Sequence, residues 1–121
     1  MRGSGGTRLA VAALFAVCLT VLAAPAFAAR AHATATKVSV TESEWKIKLS
    51  KSSVPAGSVT FSIKNAGKVP HDFKIGGKKS KTIAPGKTAT LTVTLKKGKQ
   101  AYLCAIPGHA ALGMKGTLTV K

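Results

Sequence analysis

The chain has 121 residues, with 19 Lys and Arg against three Asp and Glu, a formal net charge of +16 at pH 7. Such a length suits one small domain, and such an imbalance implies an anionic partner or surface whose attraction weakens as salt rises. It does not imply specific nucleic-acid recognition: the lysines are scattered through strand-like and turn-like stretches, and beyond residue 28 there are only four aromatics, Trp45, Phe61, Phe73 and Tyr102, too few for a base-stacking platform.

The N-terminus reads as a targeting segment. Arg2 and Arg8 precede an apolar run from Leu9 to Ala24 broken only by Thr20, and Ala26-Phe27-Ala28 offers an A-x-A cleavage signal. Residues 1–28 are therefore predicted to be a signal peptide cut after Ala28, with an uncleaved anchor as the alternative; the run falls slightly short of the roughly 20 apolar residues that span a bilayer. Phe15-Ala16-Val17 lacks the small residue expected immediately before a lipidated cysteine, so Cys18 is read as leaving with the signal. The expected location is outside the cytoplasm, periplasmic or extracellular at the cell surface. The remaining 93 residues carry 17 positive and three negative side chains, a net +14, and a single cysteine, Cys104. In an oxidising compartment a lone thiol is free, paired between chains or bound to metal.

Residues 29–36 form a short flexible lead whose His32 is expected to be solvated, and a domain is expected over 37–121. Val38 and Val40 alternate with polar neighbours, as do Trp45, Ile47 and Leu49, then Val59, Phe61 and Ile63 after a Val54-Pro55-Ala56-Gly57 turn. His71, Phe73 and Ile75 share parity on the next strand, which directs His71 to the core side. Gly76-Gly77-Lys78-Lys79 turns the chain into a short strand near Lys81–Ile83, and Ala84-Pro85-Gly86 turns it again. Ala89, Leu91, Val93 and Leu95 alternate with threonines, a basic tip follows at Lys96–Lys99, and Gln100 to Cys104 returns with Tyr102 and Cys104 pointing inward. Leu118 and Val120 mark a closing strand. About eight short alternating strands with Gly/Pro turns indicate an all-β, antiparallel sandwich or barrel.

The segment between the last two strands carries the chemistry. Cys104-x4-His109-x4-Met114 places a thiol, an imidazole and a thioether at equal intervals on one loop. A trigonal His2Cys copper site with a weak axial Met needs that set and one more imidazole, which His71 can supply. Each residue also has a plainer reading: Cys104 as a small core side chain, His109 as an exposed turn residue, Met114 as a gap filler, His71 as a hydrogen-bonded core histidine. Zinc competes for Cys and His but not for Met.

The runs Asn65-x-Gly67-x3-His71-Asp72-Phe73 and Tyr102-x-Cys104-x2-Pro107-Gly108-His109-x4-Met114-x-Gly116-Thr117-Leu118 resemble the cupredoxins, small blue copper proteins of the plastocyanin and azurin type. The resemblance implies a Greek-key β-sandwich holding one type 1 copper, with His71, Cys104 and His109 equatorial and Met114 axial. It also implies an apolar electron port around His109, formed by Ile106, Pro107, Ala110, Ala111 and Leu112. Where the family often has Asn after the first histidine this chain has Asp72, and Ala105 after the cysteine offers no side-chain donor, so the two ligand loops are expected to be braced through backbone groups. The expected function is Cu(II)/Cu(I) electron transfer by a monomer that is not an enzyme, one four-ligand copper leaving no open position for substrate. Its redox partners would be acidic at the docking surface, with an anionic envelope or membrane surface as a further contact. A copper storage, delivery or sensing module is the alternative; a polyanion-binding structural domain is a more distant one.

Overall fold

A computed structural model describes residues 34–121, together with residues 3, 5, 6 and 16. The chain divides into two units, Met1–Arg30 and Ala31–Lys121, and the second carries the fold. The expected cleavage site, Cys18 and His32 lie outside the described residues.

Nine strands follow in order: β1 Thr36–Ser43, β2 Lys46–Leu49, β3 Ser53–Val54, β4 Gly57–Asn65, β5 Lys74–Ile75, β6 Lys78–Lys79, β7 Thr88–Leu95, β8 Gly98–Leu103 and β9 Lys115–Val120. They form two sheets, ordered β2-β1-β4-β7 and β3-β9-β8-β5-β6. The all-β sandwich expected from the sequence is thus the fold found. Most pairings are antiparallel; β1 with β4 and β3 with β9 run parallel.

Period-two patterning explains the longer strands. Along β4, Val59, Phe61 and Ile63 are buried while Ser58, Ser62 and Lys64 are exposed, because successive side chains leave opposite faces of a strand. The inward residues of both sheets merge in one core that includes Val38, Val40, Phe61, Ile63, Phe73, Val93 and Leu118. Phe61 and Phe73 stack at 5.1 Å between ring centroids, and Phe73 meets Tyr102 at 5.7 Å. Tilted aromatic contacts of this kind add about 0.5–1.5 kcal/mol beyond area burial.

Three local expectations are corrected. Val54 is not only a turn residue: it is buried in β3, whose backbone pairs with β9. The strand expected from His71 shrinks to Lys74–Ile75, and His71 instead makes a single bridge to Ile83, the remnant of the strand expected at Lys81–Ile83. Lys78–Lys79, read as turn, is strand β6, because Gly76 and Gly77 take the left-handed backbone that closes a two-residue hairpin.

Candidate metal centre

Two loops at one end of the sandwich meet around His71 and Cys104. The first leaves β4 at Asn65, whose side-chain amide donates to the carbonyls of Val69 and Ile83 at 2.8 Å each, while its oxygen accepts the Gly67 N–H. These bonds fix the path to His71, which is further held by backbone bonds in both directions with Ile83. The second loop leaves β8. Pro107-Gly108 turns it, Gly108 standing at φ 84° where a side chain would be strained. The Cys104 N–H donates to the Met114 carbonyl and the Met114 N–H donates to the His109 carbonyl, so the loop closes on itself.

His71 Nδ1 lies 3.2 Å from His109 Nδ1, and Cys104 Sγ lies 3.6 Å from the same nitrogen. The ligand atoms of His71, Cys104 and His109 all fall within 4.8 Å of one another. The separations of 3.2 and 3.6 Å fit donors that can share one ion at the usual metal–nitrogen and metal–sulfur distances of about 2.0–2.3 Å. His71 and Cys104 are fully buried and His109 is half-buried. Met114, also fully buried, sits at the end of the loop and is tied by its backbone to both Cys104 and His109.

Two of the three acidic side chains, those of Asp72 and Glu44, bond to groups of this cluster or its loops. Asp72 links the loops: its Oδ1 accepts the Ala105 N–H at 2.6 Å, and its own N–H donates to Cys104 Sγ at 3.4 Å. The brace expected to rely on backbone groups is therefore half side chain, the Asp72 carboxylate meeting the Ala105 backbone. Burial raises the Cys104 thiol, the N–H groups of Asp72 and Ile106 pull it down, and the Asp72 and Glu42 charges raise it again, for a net increase. Metal binding to such a thiol displaces its proton, so affinity rises with pH.

Glu44 and Glu42 were not singled out by their sequence positions. Glu44, at the β1–β2 turn, accepts from the backbone N–H of Lys68 at 2.8 Å and of Val69 at 3.1 Å, and from His71 Nε2 at 3.1 Å. Partial burial works to raise its pKa, but the N–H donors of Lys68, Val69 and Glu44 itself, with His71, hold it down at about 2. Gly67 lies against this carboxylate, and a Cβ there would collide with it. Glu42 is fully buried, and neither of its oxygens finds a hydrogen-bond partner among the described residues. Its burial, and then the Asp72 charge, push its pKa up to about 8. The signal for Glu42 was in the sequence: it continues the inward series Val38, Val40 at the next even position.

Trp45, expected to alternate with Ile47 and Leu49 toward the core, instead precedes β2 and lies edge-on to the His109 ring at 4.9 Å and the His71 ring at 6.4 Å. It and Leu112 are the large hydrophobic side chains exposed among the described residues, at 37% and 57%. Leu112 belongs to the apolar group expected around His109, where Pro107 and Ala111 are also exposed and Ile106 and Ala110 half-buried.

A thiolate, two imidazoles and a nearby buried thioether form the donor set that suits copper in either oxidation state. The cupredoxin-like domain family matches residues 10–120. Among solved structures, the chain is similar to a Na-dithionite-reduced auracyanin from the photosynthetic bacterium Roseiflexus castenholzii, with 25% identity and a TM-score of 0.62 over 72% of this chain and 98% of that one. It is also similar to auracyanin B, at 23% identity and a TM-score of 0.61 over 72% and 89%. A third is auracyanin A, described as a "blue" copper protein from the green thermophilic photosynthetic bacterium Chloroflexus aurantiacus, at 20% identity and a TM-score of 0.58 over 71% and 98%. No curated protein sequence matches the chain significantly. A two-sheet β-sandwich with His, Cys and His converging at one end, matched by the family along most of its length, belongs to the cupredoxin-like domain family.

Proposed function

We propose that the protein is a type 1 copper electron carrier that works outside the cytoplasm. The observation that carries this reading is the convergence of His71 Nδ1, Cys104 Sγ and His109 Nδ1 from two braced loops, beside a buried Met114. Copper held by these residues supplies a one-electron Cu(II)/Cu(I) couple, with soft sulfur favouring the reduced ion and imidazole serving both.

The chain's own residues set the conditions for transfer. Asp72 fastens Ala105 to the His71 loop and donates its N–H to the sulfur, so the donors stay in place when the charge between them changes. Small rearrangement is what makes electron exchange fast. His109 is the ligand with an exposed edge, and Trp45 and Leu112 beside it give an apolar contact surface. Lysines over the rest of the surface steer acidic redox partners toward it, an attraction that fades with salt. Residues 1–28 serve as the export signal and 37–121 as the copper domain of a monomer, with no substrate turned over.

Cu(II) added to the purified protein is expected to give an intense blue thiolate-to-copper band that bleaches reversibly on reduction, and Cys104→Ser is expected to abolish it. A colourless protein, or a Cys104→Ser variant that stays blue, would overturn the proposal. A strong band with slow electron self-exchange would point instead to copper storage or delivery.

A further inference from the structure

Glu44 belongs to the β1–β2 turn, far in sequence from both ligand loops, yet its Oε1 receives three N–H groups, two from the backbone of Lys68 and Val69 and one from His71 Nε2. A carboxylate has no proton to give, so the hydrogen of the third bond resides on His71 Nε2. In the neutral ring His71 Nδ1 is then the nitrogen with the free lone pair, and it is this atom that faces His109 Nδ1, in the cluster with Cys104. The anchoring is specific. The Lys68 and Val69 amides hold the carboxylate whether or not His71 is present, and Gly67 leaves room for it by lacking a Cβ. The next residue, Trp45, stands edge-on to both imidazoles, so the same turn packs against both rings.

We propose that Glu44 is a positioning residue of the metal centre: it fixes His71 as the Nε2–H tautomer in the ligating orientation, and its negative charge favours Cu(II) over Cu(I). The first half concerns the protein without metal, and the second rests on the copper reading. A ligating histidine generally donates its other ring nitrogen to such an acceptor, and loss of the acceptor costs about 10–100-fold in metal affinity. A carboxylate adds charge as well. Through the imidazole it stabilises the more highly charged ion, so removing the charge while keeping the acceptor shifts the balance toward Cu(I).

The test uses the full-length chain, wild type and with Glu44→Gln or Glu44→Ala, and urea unfolding confirms that each variant is folded. Nitrogen-15 NMR of the metal-free proteins is expected to report His71 as a single Nε2–H tautomer in wild type and in Glu44→Gln, whose amide oxygen still accepts, and as a mixture in Glu44→Ala. Separate titrations with Cu(II) and Cu(I) are expected to show Glu44→Ala losing about 10–100-fold for both ions. Glu44→Gln should lose about tenfold for Cu(II) alone, equivalent to a rise of about 59 mV in reduction potential. An Nδ1–H tautomer in wild type, or a Glu44→Ala protein with unchanged His71 signals and unchanged affinities, would overturn the proposal. Should wild type bind no copper, the electron-carrier reading falls, and the tautomer measurement alone decides the role of Glu44.

Discussion

The metal-free protein is expected to lose stability on the order of 4–5 kcal/mol as the pH rises from about 4.5 to about 8, and Glu42→Gln to flatten that profile. Glu42 is held up from 4.5 to about 8 by burial and by the Asp72 charge. Between these two values the native state keeps the proton and the unfolded state has released it, so stability falls with increasing pH by up to about 1.4 kcal/mol per unit. The contribution is complete below the unfolded pKa and gone above the folded one. Against a total of about 5–15 kcal/mol for a domain, this is a large share. An amide at the same place cannot ionise. Urea unfolding of both proteins between pH 4 and pH 9 provides the measurement, and a wild-type midpoint that does not move over that range contradicts the assignment.

Phe61→Ala is expected to lower the unfolding free energy by about 3–5 kcal/mol, the usual cost of removing a buried aromatic ring. Phe61 is fully buried in β4, the central strand that joins β1 to β7. Its ring supports Phe73, which follows His71-Asp72 and touches Tyr102 two residues before Cys104. The cavity therefore opens beneath Phe73, two residues after His71. Melting temperature and urea midpoint should fall together, and the blue band of the copper-loaded variant should broaden as His71 and Cys104 lose their common support. A loss below about 1 kcal/mol would mean that the neighbours collapse into the space.

The parts of the fold that the sequence made legible are those governed by local alternation. β1, β4, β7 and β9 were readable because Val, Ile, Phe and Leu recur every second residue against Ser, Thr and Lys. The inward direction of Cys104 and His71 followed from the same parity, and the ligand loop from its three donors. What escaped was set by contacts distant in sequence. No local pattern announces that Ser53-Val54 runs parallel to β9, or that Trp45 leaves the alternation of its neighbours to cover two histidine rings. Asp72 departs visibly from the family pattern, but its bond to Ala105 depends on two loops 33 residues apart meeting in space. Glu42 broke the expectation that acids lie outside, and Glu44 was just a turn carboxylate until the path of residues 67–71 brought His71 to it.

The sheet order leaves β2, β7, β3 and β6 each with one side unpaired among the described residues. Such borders invite a second copy to pair backbone to backbone, and lysines commonly guard them. β2 carries Lys46 and Lys48, β6 is Lys78-Lys79, and β3 is only two residues long. β7 is different: eight residues of Thr, Ala, Leu and Val without a charge between Lys87 and Lys96. What opposes such pairing is the repulsion between whole molecules, at +16 for the full chain and +14 without residues 1–28, which reaches only about 8 Å at physiological ionic strength. Salt is thus expected to act twice, weakening the proposed attraction to acidic partners and lowering the barrier that keeps β7 of one molecule from β7 of the next.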